Sequence, residues 1–171
     1  MIRGTFRVLK DTQLRGLREL KKRIQSGSQQ VHVGVPEGPK EADGTPLALV
    51  AAVNEFGSAD GQIPERSYLR SALRSRANQA MFKAANVANL VRVLRGTLSM
   101  SAALNQLGAL AAGAVKAKMR SGPFEPNAPS TIRAKGEGKP PLFDSAALYQ
   151  AITWLVMPLS RRLLPAMGGR S

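Results

Sequence analysis

Between Asp11 and Ser26 the apolar residues Leu14, Leu17, Leu20 and Ile24 recur at helical spacing, and Arg15, Arg18, Lys21, Lys22 and Arg23 fill the remaining surface. This pattern predicts an amphipathic helix with a basic outer face, capped by Asp11 or Thr12 and stopped near Gly27. From Gln30 to Val35 the period changes to two. Val31, Val33 and Val35 alternate with His32 and Gly34, as in a half-buried strand with His32 on the face opposite the valines. Pro36 to Pro46 is rich in turn residues and ends the strand in a loop. Thr45 or Pro46 opens a helix in which Leu47, Val50, Ala51 and Asn54 share a face, and which closes at Phe56 and Gly57. Ser58 to Pro64 is polar and Gly-containing, the composition of a loop.

Ser67 begins a long helical pattern that Gly96 ends. Leu69, Leu73, Ala77, Ala80, Met81, Ala84, Val87, Ala88, Val91 and Leu94 form its apolar stripe, and Arg66, Arg70, Arg74, Arg76 and Lys83 carry charge. A further helix is predicted from about Ser101 to Met119, with Leu104, Leu107, Leu110, Ala111, Ala114 and Val115 inside. Lys116, Lys118 and Arg120 stand near its C-terminus, where cations complement the helix dipole. Ser121 to Pro141 reads as a long loop, and loops of that length in a compact domain are more often interfacial than filler. Asp144 can cap a short helix through Ala146, Ala147 and Leu148. The apolar, β-branched run from Ala151 to Met157 then suits a strand that pairs with Val31 to Val35.

These elements predict one α+β domain over residues 1–171, in which a small antiparallel sheet packs against two or more long helices and carries extended interfacial loops. The core is expected over about residues 10–157, with 158–171 as a C-terminal tail ordered by a partner.

Charge changes this picture more than any other feature of composition. Twenty-five Lys and Arg against 11 Asp and Glu give a formal net charge of +14, spread along the chain, which suits a polyanionic neighbour: nucleic acid, an acidic protein surface or anionic lipid. Aromatic residues make up only 5% of the chain, too few for a module that stacks several bases. The apolar stretch Leu98 to Val115 is interrupted by Ser99, Ser101, Asn105 and Gln106 and reads as a packed helix and not a membrane span. Arg3, Arg7 and Lys10 likewise interrupt the N-terminal stretch, which does not read as a signal peptide.

Little in the chain suggests catalysis. There is no cysteine and one histidine, so thiolate chemistry is excluded and most zinc and iron sites lose their usual ligands. The acids are few and scattered in turn or cap contexts, with no spacing that recommends a catalytic pair. The stretch Arg133 to Lys139 contains Lys135, Gly136, Gly138 and Lys139 but lacks the GxxxxGK[ST] pattern of a phosphate-binding loop. The expectation is a protein that is not an enzyme and needs no cofactor and no metal.

Three patterns, in order, resemble the tail-completion and head-to-tail joining proteins of long-tailed bacteriophages. The first is the strand and Pro loop at Val31 to Pro36, followed by a helix ending in Asn54, Glu55, Phe56 and Gly57. The second is Ile63, Pro64, Glu65, Arg66, Ser67, Tyr68, Leu69 and Arg70, leading into a long helix. The third runs from Pro126 to Gly136, with Asn127, Pro129, Thr131 and Lys135, and continues through Lys139 and Pro140 to Leu148. Together they cover about residues 30–155. The family often has a second proline where this chain has Ser67.

The resemblance implies a virion protein that forms a ring, six copies around the DNA channel, and bridges the tail and the head connector. Its expected partners are further copies of itself, the connector or adaptor, the tail terminator, the tail tube and the genomic DNA in transit, with no membrane. It also implies interface roles for Asn54, Glu55, Phe56, Gly57, Ile63, Pro64, Arg66, Tyr68, Arg70, Asn127, Pro129, Thr131, Lys135, Lys139 and Pro140. Arg15, Arg18, Lys22, Arg74 and Arg76 are the basic side chains expected to face DNA or an acidic partner. A non-sequence-specific DNA-binding protein and a tail-terminator ring are the alternatives left open.

Overall fold

In the computed structural model, residues 15–16, 18–22, 29–126, 142 and 146–158 are described. Positions 15–16 and 18–22 are helical, within the predicted first helix, with Arg15, Arg18, Lys21 and Lys22 exposed. Then follow β1 (Gln29–Gly34), α1 (Leu47–Phe56), α2 (Leu69–Arg74), α3 (Arg76–Leu94), α4 (Met100–Ser121), α5 (Ala147–Ala151) and β2 (Thr153–Pro158).

The two strands pair antiparallel from Gln29 opposite Pro158 to Gly34 opposite Thr153, the pairing expected from the period-two run at Gln30 to Val35 and the β-branched run at Ala151 to Met157. Their alternation sets two faces. His32 and its partner Leu155 are exposed, while Val33 and Trp154 lie against the core. The chain is thus an α+β fold with a small antiparallel sheet.

Helix α4 is the common support: both strands, α2 and α3 pack on it. Small residues allow this close approach, for its buried positions include Ala103, Gly108, Ala111, Ala112 and Ala114, with Val115 and Met119 beyond them. Ser99 caps the helix, its hydroxyl accepting from the Ala102 amide at 3.1 Å. The main core joins Val115 and Met119 of α4 to Leu47, Tyr68, Ala72, Leu148 and Ile152. Around the C-terminus of α4, the Lys118 ammonium donates to the Gly122 carbonyl at 2.8 Å, so at least one of the predicted terminal cations closes its own helix.

Two sequence expectations change. The helix predicted from Ser67 to Gly96 is broken at Ser75, whose ψ of 131° is extended. Hydrogen bonds brace the corner: the Asn78 side-chain amide donates to the Ala72 carbonyl at 2.8 Å, and Gln79 N–H donates to the Ser75 carbonyl at 2.8 Å. The break resets the helical phase, so the apolar stripe does not continue inward along α3. Positions Asn78, Phe82, Ala85, Asn89 and Val93 turn inward instead, and Ala77, Ala80, Met81, Ala84, Val87, Ala88, Val91 and Leu94 are exposed. Asn89 is accommodated by donating to the Ala103 carbonyl at 3.3 Å. The second change is at α5, which begins after Ala146, a residue with φ of 58°; the predicted cap, Asp144, lies outside the described residues.

The approach of α4 to the sheet at Gly108 predicts a measurable effect. A Cβ on Gly108 would lie 2.2 Å from Cδ1 of Trp154, whose indole N–H donates to Asn105 Oδ1 at 3.0 Å. Gly108→Ala is expected to push the indole off α4 at a cost of about 1–3 kcal/mol. Trp154 is the sole tryptophan, so urea unfolding followed by its fluorescence reads the effect directly. The midpoint should fall and the native emission move to the red; an unchanged midpoint and spectrum would contradict this packing.

Candidate functional site

The stretches Asn54 to Gly57 and Ile63 to Arg70 meet at one buried carboxylate. Glu55 stands in the last turn of α1 and is 3% exposed, so its charge must be met by donors within the chain. Its Oε2 accepts from Tyr68 N–H at 2.9 Å and Leu69 N–H at 2.8 Å. Its Oε1 accepts from Arg70 N–H, Arg70 Nε and the Ser67 hydroxyl, each at 2.9 Å. The amides belong to the first turn of α2, so a residue far along the chain caps that helix. Arg70 also donates from Nη2 to the Glu55 carbonyl at 3.2 Å and to Glu65 at 2.6 Å, and its guanidinium lies over the Phe56 ring, 4.7 Å from the centroid.

The loop between these motifs is folded to bring them together. Gly57 has φ of 80°, and a Cβ there would come within 3.1 Å of the Ile63 carbonyl oxygen and 3.2 Å of the Glu65 nitrogen. Ser58 N–H donates to the Ile63 carbonyl at 2.9 Å, Ile63 N–H to the Ser58 hydroxyl at 2.8 Å, and Arg66 N–H to the Asn54 carbonyl at 2.8 Å. Asn54 braces α1 by donating from its side chain to the Val50 carbonyl at 2.8 Å.

Arg66 reaches the third motif. Buried at the same corner, it donates from Nε to the Glu125 carbonyl at 2.8 Å and from Nη2 to the Pro126 carbonyl at 3.0 Å. Burial lowers its pKa, opposed by the charge of Glu125. Tyr68 is also buried, its hydroxyl 3.4 Å from the Ala51 carbonyl; burial, with the Glu55 charge, pushes its phenol well up.

These positions revise the expected interface. Glu55, Arg66 and Tyr68 are enclosed by their own chain, because a buried charge or phenol needs partners already in place; they hold the surface and do not form it. The side chains that remain open to a partner are Phe56, 63% exposed, and Ile63, with Arg70 half-buried and Pro64 half-buried beside them. Asn54 and Gly57 shape the turn. Arg74 and Arg76 are exposed beside the Ser75 corner, and Arg15, Arg18 and Lys22 are exposed on the N-terminal helical residues, where Lys22 also pairs with Glu19 at 3.3 Å. Asn127, Pro129, Thr131, Lys135, Lys139 and Pro140 lie outside the described residues.

The carboxylate hub itself was not anticipated. An acid in the last turn of a helix is unfavourable to the helix dipole, which is the one signal in the sequence that Glu55 serves another element. Ser67 adds a hydroxyl that donates to Glu55. Among the described residues no group of three or more His, Asp or Glu is arranged to hold a metal ion. Comparison with known protein families, curated proteins and solved structures finds no match.

Burial alone would raise the Glu55 pKa, but the amides of Arg70 and Leu69, the Arg70 guanidinium and the Ser67 hydroxyl outweigh it and hold the pKa below the ordinary glutamate value of 4.5. A depressed folded-state pKa contributes stability that is present above the unfolded value and is lost as pH falls through the folded one. Asp43 and Asp60 are lowered too, by their turn partners Thr45 and Ser58, so the Glu55 share is read as a difference between proteins. Wild-type stability should therefore decline below about pH 4.5 more steeply than that of Glu55→Gln. Glu55→Ala, which strands the α2 amides and Arg70, should cost about 3 kcal/mol or more at neutral pH in denaturant unfolding. Equal pH slopes for the wild type and Glu55→Gln would contradict this role.

Proposed function

We propose that this protein is a structural component of the neck or upper tail of a long-tailed bacteriophage, acting by assembly and not by catalysis. Copies associate into a ring, six around the DNA channel, that completes the tail and joins it to the head connector. The observation that carries this reading is the interlocking of the first two motifs, with Arg66 of the second reaching Pro126, the first residue of the third. Glu55 of the first binds Ser67 to Arg70 of the second. Motifs that interlock in space as well as following in order support a shared design more strongly than three short matches.

Exposed Arg15, Arg18, Lys22, Arg74 and Arg76, with a net charge of +14, support a position next to DNA in transit, where phosphate is attracted without sequence being read. No helix among the described residues is long and apolar enough to cross a membrane. The same charge supports a second reading, a non-sequence-specific DNA-binding protein; a tail-terminator ring is a close relative of the first.

The test is the mass of the purified protein in solution and on isolated tails, by light scattering and electron microscopy. A ring, or a monomer that forms a ring on tail ends, is expected. A monomer that ignores tails and binds duplex DNA tightly, with steep salt dependence, would overturn the assignment in favour of the DNA-binding reading.

A further inference from the structure

The charges of the chain are divided along the sequence in a way that its total conceals. Residues 37–65 hold six of the 11 acids and a single cation, Lys40; Glu55 is internal and Glu65 pairs with Arg70, while Glu37, Asp43 and Asp60 are exposed in the loops. Residues 66–124 hold ten Lys and Arg and no acid at all. The first stretch is α1 with its flanking loops; the second is α2, α3 and α4.

Each stretch also exposes large apolar side chains among the described residues. On α1, Leu49 is 55% exposed and Phe56 continues the same stripe seven residues on, with Ile63 in the following loop. On α3, Ala77, Met81, Ala84, Val87, Ala88 and Val91 form an exposed strip. At 3.6 residues per turn the strip is centred about 140° around the helix from the face packed on α4. Val87 is 55% exposed. Arg76 and Lys83 border one edge of the strip and Arg92 the other, all exposed.

We propose that the α3 strip of one copy is covered by the α1 surface of the next copy. The apolar strip would meet Leu49, Phe56 and Ile63, and its basic borders would meet the acidic loops around Glu37, Asp43 and Asp60. Charge decides the occupant. Two α3 strips facing each other would set cations against cations, which disfavours a two-fold contact, whereas α3 against α1 pairs opposite signs. At 19 residues α3 is about 28 Å long, enough to seat the ten-residue α1, about 15 Å, with its loops at either end. Two different surfaces joined in this way make a heterologous contact that repeats from copy to copy and closes into a ring when the rotation allows. The contact deepens the ring reading above and rests on it.

Paired charge reversals test this. Lys83→Glu with Arg92→Glu alters only the α3 border; Glu37→Lys with Asp43→Lys alters only the α1 side. Each double variant should keep its helical circular dichroism and associate about tenfold or more weakly than the wild type, in sedimentation for free protein or in ring occupancy on tail ends. Mixed together, the two variants should regain association, because each then presents an opposite charge to the other. If the wild type forms rings and neither variant changes them, or mixing restores nothing, this contact is wrong while the ring reading survives. If the wild type forms no ring in solution or on tails, both fail. Loss of duplex binding by the α3 variant with assembly intact would assign the face to a polyanion and also overturn the proposal.

Discussion

A carboxylate removed from water has to be met on every side by donors, and Glu55 is met by three backbone amides, a hydroxyl and a guanidinium. None of these donors is close to it in sequence. The requirement therefore fixes the C-terminal turn of α1 against the first turn of α2, and through Arg66 it ties the same corner to the residues after α4. Replacing the carboxylate with an apolar side chain would leave the α2 amides unpaired, so the constraint acts on the whole corner at once.

From that corner the rest of the molecule takes its direction. Helix α2 is short, and the extended Ser75 sends α3 away at a new phase to rest its Asn78, Phe82, Ala85, Asn89 and Val93 face on α4. Helix α4, lined with alanine and with Gly108 beneath Trp154, can then support helices and sheet together. The outcome is a body whose interior is closed around Glu55 while an apolar strip on α3 and the Leu49 and Phe56 stripe on α1 are left outside. Those exposed apolar side chains are what the proposed contact between copies would cover.

Elements governed by local rules were legible in the sequence. The alternation of Val31 and Val33, the β-branched run ending at Met157, the helix stop at Gly57 and the long helix that apolar spacing placed from about Ser101 all follow from period or cap chemistry, and the strand pairing followed from these. What could not be read depended on distant partners. Periodicity carried the helix through Ser75, because the corner is made by a serine and an asparagine that a helix can also tolerate. It assigned Met81, Val87 and Val91 to a core-facing stripe, because apolar spacing gives a face but not what covers it. Glu55 looked like a scattered acid and Arg66 and Tyr68 like surface contacts, since no local pattern reports that residues 54–57, 63–70 and 125–126 converge.

Hydrogen exchange at the amides of Tyr68, Leu69 and Arg70, followed by NMR, tests the central claim that the Glu55 carboxylate organises this corner. The account predicts protection at Tyr68, Leu69 and Arg70 comparable to that of Val115 in α4, although these are first-turn amides that ordinarily exchange with water. Rapid exchange at all three, with α4 still protected, would mean that the carboxylate does not hold them.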